Sequence, residues 1–341
     1  MIKYIRILNQ TYYLKRSYST FEHSIPILDL TQSYQNLTKR KELAKQIDQI
    51  CQTIGFFIVT GHQIDEQIQN EMMKISKEFF HLPLNIKKEI IGSKHYPYGY
   101  NGLNDENLSL GYENSSTILL SDVKESFSIG PEHEQTIRWP SKPLQMSSIW
   151  LNYYSQCQHL SEHLYKLFAL ALNLDEHWFD NKINQHRCAL RSLFYPSLSS
   201  SLPQNQYRSS PHTDYGSFTI LKQDSVSGLQ AQNRLNGKWI DVPFIQNSFV
   251  INLGDLMSRW TNDHWISTPH RVIASSSSSS SSSSNQNPSR QSIAYFCQIN
   301  PDEIVTCIPT CSSKDKPPKY PPIRSWDLII QKYLASIQKN K

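Results

Sequence analysis

The stretch PHRVIASSSSSSSSSSNQNPSRQS, Pro269–Ser292, holds ten consecutive serines, Ser275–Ser284, between His270 and Arg290. Read as a linker, the run divides the chain into two domains. Read as an insertion, it lengthens one loop and leaves His270 and Arg290 as parts of one site. A length of 341 residues accommodates either arrangement, so the flanking sequence has to decide.

From about Arg187 onward, short apolar runs alternate with turn signals. LRSLFY, SFTILKQ, GLQAQN, KWIDVP, SFVINLGDL, HRVIA and QSIAYFCQI succeed one another, with Asn236-Gly237 as a hairpin turn. Such a series implies a jelly roll or barrel, not a parallel sheet. The N-terminal half has a different rhythm. SIPILDL reads as a short strand, and KELAKQIDQICQTIG places Leu43, Ile47, Ile50 and Ile54 on one helical face. Gly55 ends that helix, Phe56–Val59 is an apolar strand, and a second helix follows Asp65 with Ile68, Met72, Ile75 and Phe79 as its stripe. A third helix is predicted from Ser147 to about Leu172, and a last one over SWDLIIQKYLASIQ with Ser325 as its N-cap.

The composition, 38% hydrophobic and 18% charged, suits a soluble folded protein, and no apolar stretch approaches the ~20 residues of a membrane helix. Four of the 34 basic residues, Lys3, Arg6, Lys15 and Arg16, lie in the first twenty positions, where no acid occurs. Removing them leaves 30 basic against 29 acidic side chains, so the body carries no charge excess that would suit a nucleic acid. The six cysteines include no CxxC pair and read as reduced thiols of an intracellular protein. Residues 1–20 form a basic tail or a presequence: Ile2, Ile5, Leu8 and Tyr12 share a helical face, and Arg16-Ser17-Tyr18-Ser19 resembles a mitochondrial cleavage site. The expected compartment is the cytoplasm, or the mitochondrial matrix if residues 1–18 are a presequence. A monomer without nucleic-acid or membrane partners is expected.

The chemistry concentrates in three places. His212-Thr213-Asp214 presents an imidazole and a carboxylate two positions apart, and on an extended chain such side chains project to one face about 7 Å apart at Cα. His270 is the best third ligand. Two histidines and one carboxylate on one face of an octahedral ion leave positions open for oxygen chemistry, as in non-haem Fe(II) oxygenases, although zinc accepts the same donors. Arg290 and Ser292 repeat the two-residue spacing, and a guanidinium beside a hydroxyl is a good receptor for the far carboxylate of a dicarboxylic acid.

In this order, HTD, then DLMSRWTNDHWISTPHRV, then RQS, the sequence resembles the iron- and 2-oxoglutarate-dependent oxygenases of the isopenicillin N synthase-like family. SIPILDL, QTIGFFIVTGHQI, EFFHLP and DVKESFSIGPE are similar to that family's N-terminal segments, so the resemblance runs from about Ser24 to Ile337. It implies an α+β fold with a mainly β core: a double-stranded β-helix (jelly roll) with flanking N-terminal and C-terminal helices. On this reading residues 24–130 pack on the core and residues 147–337 form the dioxygenase domain, with a disordered serine insertion at 275–284. The resemblance further implies that His212, Asp214 and His270 bind Fe(II), that Arg290 and Ser292 hold the 5-carboxylate of 2-oxoglutarate, and that Tyr195 touches the same cosubstrate. O2 would be the oxidant and ascorbate an accessory reductant. The implied reaction couples decarboxylation of 2-oxoglutarate to succinate and CO2 with oxidation of a small-molecule substrate. Its pocket would be lined by the Tyr96 to Phe127 region, with Tyr98, Tyr100 and Asn101 as candidates, by Phe296, and by the C-terminal helix.

Two departures stand out: Leu193 occupies a position where many plant members have Asn, and Gly61-His62-Gln63-Ile64 replaces Asn-His-Gly-Ile. Two other functions fit the same residues. One is an oxidase of this fold that needs no 2-oxoglutarate, which release of succinate would exclude. The other is a binding protein without turnover, against which an intact ligand set argues. The resemblance also answers the opening question. The family places its distal His and its Arg about ten apart, and His270 and Arg290 are 20 apart, so the ten serines account for the difference. The run is expected as an insertion in a connection between neighbouring strands of one hairpin-like unit.

Overall fold

Apolar periodicity translates into elements with few surprises in the computed structural model, which describes residues 24–92, 98–108, 120–131, 137–200, 202–203, 205–234, 236–274 and 287–337. The basic stretch 1–20 and the serine run lie outside the described residues. The chain runs β1 (Ile27–Asp29), α1 (Leu37–Thr53), β2 (Phe56–Thr60), α2 (Glu66–Phe80), α3 (Leu84–Lys88), β3 (Gly99–Asn101), β4 (Glu125–Ile129), α4 (Met146–Ala171) and α5 (Asp180–Ile183). It continues through β5 (Ala189–Tyr195), β6 (Ser209–His212), β7 (Phe218–Gln223), β8 (Leu229–Gln232), β9 (Trp239–Asp241) and β10 (Phe249–Leu253). Then come α6 (Asp255–Trp260), β11 (His270–Val272), β12 (Arg290–Cys297) and α7 (Ser325–Ile337).

Local chemistry explains the boundaries. The Asn36 side chain accepts the N–H groups of Thr38 and Lys39, which starts α1 before the apolar stripe begins, and Asp65 accepts the N–H of Gln67 at the start of α2. Gly55 terminates α1 at φ +60°, and a Cβ there would lie 2.3 Å from the Ile266 carbonyl oxygen, so only glycine fits. Lys238 donates its N–H to the Asn236 side chain between β8 and β9, which is the expected hairpin.

The strands form a jelly roll of two sheets, an eight-stranded one ordered β1-β2-β10-β7-β12-β5-β4-β3 and a four-stranded one ordered β6-β11-β8-β9. All pairings in both are antiparallel except β1 with β2. Residues paired across such ladders share a face. Thr219 pairs with Asn252 and Phe296, Ser292 with Leu193 and Gln223, and Arg191 with Ala294 and Ser128, so all of these belong to one face of the large sheet. The opposite face carries Phe127, Phe194 and Tyr295, which meet Trp150, Phe80 and Tyr154 of α4 and α2. One side of the large sheet is thus sealed by helices, and the other is left for the small sheet.

One expectation is corrected here. β11 pairs with β6 and β8, whereas β12 pairs with β5 and β7. PHRVIA and NPSRQS are therefore not a hairpin but cross from one sheet to the other. From β5 to β12 most successive strands, though not β8 and β9, alternate between the two layers, which adjacency in sequence does not reveal.

Candidate active site

The two sheets meet around three side chains. His212 ends β6, His270 opens β11, and the two are direct cross-strand partners with ring centroids 4.3 Å apart. Asp214 lies just past the end of β6. Its Oδ1 is 3.9 Å from His212 Nε2 and 3.7 Å from His270 Nε2. The three potential ligand atoms lie within 4.8 Å of one another, and no other such group of three or more His, Cys, Asp or Glu occurs among the described residues.

Each of the three candidate ligands is oriented from behind. His212 Nδ1 lies 2.7 Å from the Ser210 carbonyl and His270 Nδ1 3.1 Å from the Thr268 carbonyl, so each ring donates through Nδ1 and turns its Nε2 lone pair inward. Asp214 Oδ2 accepts the Thr219 hydroxyl and, at 2.7 Å, the Asn252 amide, which leaves Oδ1 facing the two Nε2 atoms. Phe56 packs edge-on against His270. Burial and the neighbouring His270 hold the His212 imidazole below its ordinary pKa, favouring the neutral ring that binds metal. Burial alone would raise the Asp214 carboxyl, but His270, His212, Thr219 and Asn252 outweigh it and keep the group ionised. Two imidazoles and one carboxylate, preset and mostly buried, fit a divalent transition metal.

The backbone approaches closely to build this corner. Asp255 donates its N–H to the Asp214 carbonyl at 2.8 Å, and Gly254 donates to Ser217 at 2.9 Å. A Cβ on Gly254 would lie 2.2 Å from the Gly216 carbonyl oxygen.

Arg290 begins β12 opposite Tyr195 and is 1% exposed. Its Nε donates to the Val226 carbonyl and its Nη2 to Gln223 Oε1, while Nη1 has no partner among the described residues. The guanidinium lies 5.3 Å above the Tyr195 ring. Ser292 follows on the same face, also buried. A buried cation with a spare donor next to a hydroxyl fits a carboxylate.

A charged network that local sequence reading misses adjoins His212. The Ser210 N–H donates to Asp122 at 2.9 Å, Asp122 bonds Lys124 at 2.7 Å, and Glu106 lies 3.5 Å from Lys124 and 3.1 Å from Arg191. Burial disfavours the charge on Lys124, and Asp122 and Glu106 more than restore it. Asn101 turns its amide towards Glu106 on this side. Tyr100 faces the helices instead, where its hydroxyl donates to Glu125; Tyr98 packs on Gly130, and Tyr96 lies outside the described residues. Thr219 and Asn252 carry no motif of their own, because their role arises only from the β7–β10 pairing.

Comparison with known proteins gives concordant findings. Residues 25–153 match the family described as "non-haem dioxygenase in morphine synthesis N-terminal", and residues 184–299 match the 2OG-Fe(II) oxygenase superfamily. A 2-oxoglutarate-Fe(II) type oxidoreductase of Emericella nidulans is 32% identical over 91% of this chain and 90% of its own. A homoarginine-6-hydroxylase of Arabidopsis thaliana is 31% identical over 80% of this chain and 81% of its own. A full-length Neurospora crassa protein solved with alpha-KG and thymine superposes with a TM-score of 0.82 at 30% identity, covering 92% of this chain and 98% of that one.

Proposed function

The chain belongs to the 2OG-Fe(II) oxygenase superfamily, and from that premise we propose that it oxidises a small, neutral, polar molecule at the His212, Asp214 and His270 cluster. It is a 2-oxoglutarate-dependent dioxygenase that uses Fe(II). The single observation that carries the site assignment is the convergence of two inward-facing Nε2 atoms and one free carboxylate oxygen within 4.8 Å.

When bound, Fe(II) and 2-oxoglutarate supply the oxygen-activating chemistry that yields succinate and CO2. The chain's own residues do the positioning. His212, Asp214 and His270 would hold the metal through one face, with Thr219 and Asn252 fixing the carboxylate. Arg290, Ser292 and Tyr195 would receive the far end of 2-oxoglutarate. Burial between the sheets excludes water from the reacting centre.

The substrate class follows from charge balance. Glu106 and Arg191, whose side chains are each 22% exposed, are among the accessible polar groups on this side of the large sheet. With Asp122 and Lys124 they form two acids and two bases that neutralise one another. A charged substrate would upset that balance. A neutral one carrying a donor and an acceptor side by side, such as a cyclic amide, would match Glu106 and Arg191 together. The thymine complex of the Neurospora relative supports this choice. In solution the protein would act as a monomer. Inside the cell it would be cytoplasmic or mitochondrial, depending on residues 1–18.

The test is a substrate panel of neutral heterocyclic amides against amino acids and carboxylic acids, scored by substrate-dependent succinate release under O2. Coupled release with a heterocyclic amide is the expected result. Coupling confined to charged acids would overturn the substrate class. Stoichiometric Fe(II) retained by His212→Ala would overturn the ligand assignment.

A further inference from the structure

Arg208, four residues before His212, is completely buried at 0% exposure. Its Nη2 donates to two carbonyls, those of Pro196 at 3.2 Å and Pro288 at 2.7 Å. Pro196 directly follows Tyr195, and Pro288 lies two positions before Arg290, and Tyr195 and Arg290 are paired across β5 and β12. The Arg208 guanidinium is thereby fixed at the end of the sheet where Arg290 sits.

Its remaining donors are idle. Among the described residues Arg208 Nε and Nη1 have no partner, and neither does Arg290 Nη1. Buried donors are nearly always satisfied, so three unpaired ones on two neighbouring guanidiniums call for an acceptor. Burial and the like charge of Arg290 both act against the Arg208 cation. Asp224 is the nearby carboxylate acting on both, and it already accepts the N–H groups of Gln291 and Val226. Two fixed positive charges against one engaged carboxylate leave a surplus in a place closed to water. A carboxylate brought by a ligand would cancel it.

We propose that Arg208 is a second guanidinium contact for the distal carboxylate of the 2-oxo acid, acting with Arg290 to select a dicarboxylic cosubstrate. The proposal rests on the assignment of Arg290 and Ser292 to that carboxylate. A purely structural Arg208, tying β5 to β12 through the two prolines, would instead stabilise the site for any oxo acid.

Calorimetric titration of the anaerobic Fe(II)-loaded protein separates the two. The ligands are 2-oxoglutarate and 2-oxovalerate, which has the same chain length but ends in a methyl group. Arg208→Gln is expected to weaken 2-oxoglutarate binding roughly ten- to a hundredfold, the range of a lost charged hydrogen bond, and to change 2-oxovalerate binding less than about twofold. Equal losses for both ligands, or none, would overturn the proposal. If the Gln variant does not fold, Arg208→Lys reads the same ratio: a several-fold selective loss supports the contact, and a wild-type ratio overturns it. Arg290→Gln, run in parallel, keeps the failures apart. A selective loss there without one at Arg208 sinks only the second contact, and no selective loss there removes the assignment on which it rests.

Discussion

At Asp214 one carboxylate is divided between two tasks. Thr219 and Asn252 occupy Oδ2, so Oδ1 remains to face the same point as the two histidine Nε2 atoms. Such orienting partners matter nearly as much as the ligands themselves. Arg290 is divided in the same way, with two nitrogens committed to Val226 and Gln223 and one held in reserve. Arg290→Lys would put a point charge where a planar fork is needed. We expect 2-oxoglutarate affinity to fall roughly tenfold or more, at ~1.5–3 kcal/mol for a hydrogen bond to a charged group, read from anaerobic binding titration. Unchanged affinity would count against the cosubstrate role.

Short elements bring these residues together. Helix α6, which the strand reading of SFVINLGDL passes over, begins immediately after Gly254, and its first residue bonds the Asp214 backbone. Gly254→Ala would force its new methyl into the Gly216 carbonyl and displace the loop that carries Asp214. The expected outcome is a lower melting temperature together with weaker Fe(II) binding; an iron affinity equal to wild type would show that the loop yields without moving its ligand. The connection from β11 to β12 should be the reverse case. Ten serines roughly double its length, and a doubling costs only about 0.6 kcal/mol of closure entropy. Deleting Ser275–Ser284 should therefore leave Fe(II) and 2-oxoglutarate binding unchanged. Loss of either in the deletion variant would mean that the serines help to shape the site.

The helical layer supports the whole arrangement, and its packing carries a pH signature. His163 on α4 stacks on Tyr34 with centroids 3.8 Å apart, and its Nε2 lies 2.7 Å from the Ser33 hydroxyl. Burial, with Arg40 and Lys166 nearby and only partly offset by Glu176, pushes its pKa down to about 4. The unfolded chain binds this proton near pH 6.5 and the folded protein not until about 4. Stability from this residue is thus full above about 6.5 and is lost as pH falls through that window. In metal-free protein, urea midpoints between pH 7 and 5 should decline less for His163→Gln than for wild type. Parallel declines would assign the acid sensitivity elsewhere.

The helical stripes of α1 and α2, the strands from Leu190 to Cys297, the turn at Asn236-Gly237 and the candidacy of His212, Asp214, His270, Arg290 and Ser292 as site residues are all legible in the chain. Each depends on local periodicity or on residue chemistry at fixed spacing. The layer that each strand joins is not local. β11 and β12 read as neighbours and lie in different sheets, because strand pairing is settled by which apolar faces can be buried together. The same holds for Arg208, Thr219, Asn252 and the Glu106 to Arg191 network: they are ordinary polar residues in sequence. Only packing withdraws them from water and makes every unpaired donor and every compensated charge count.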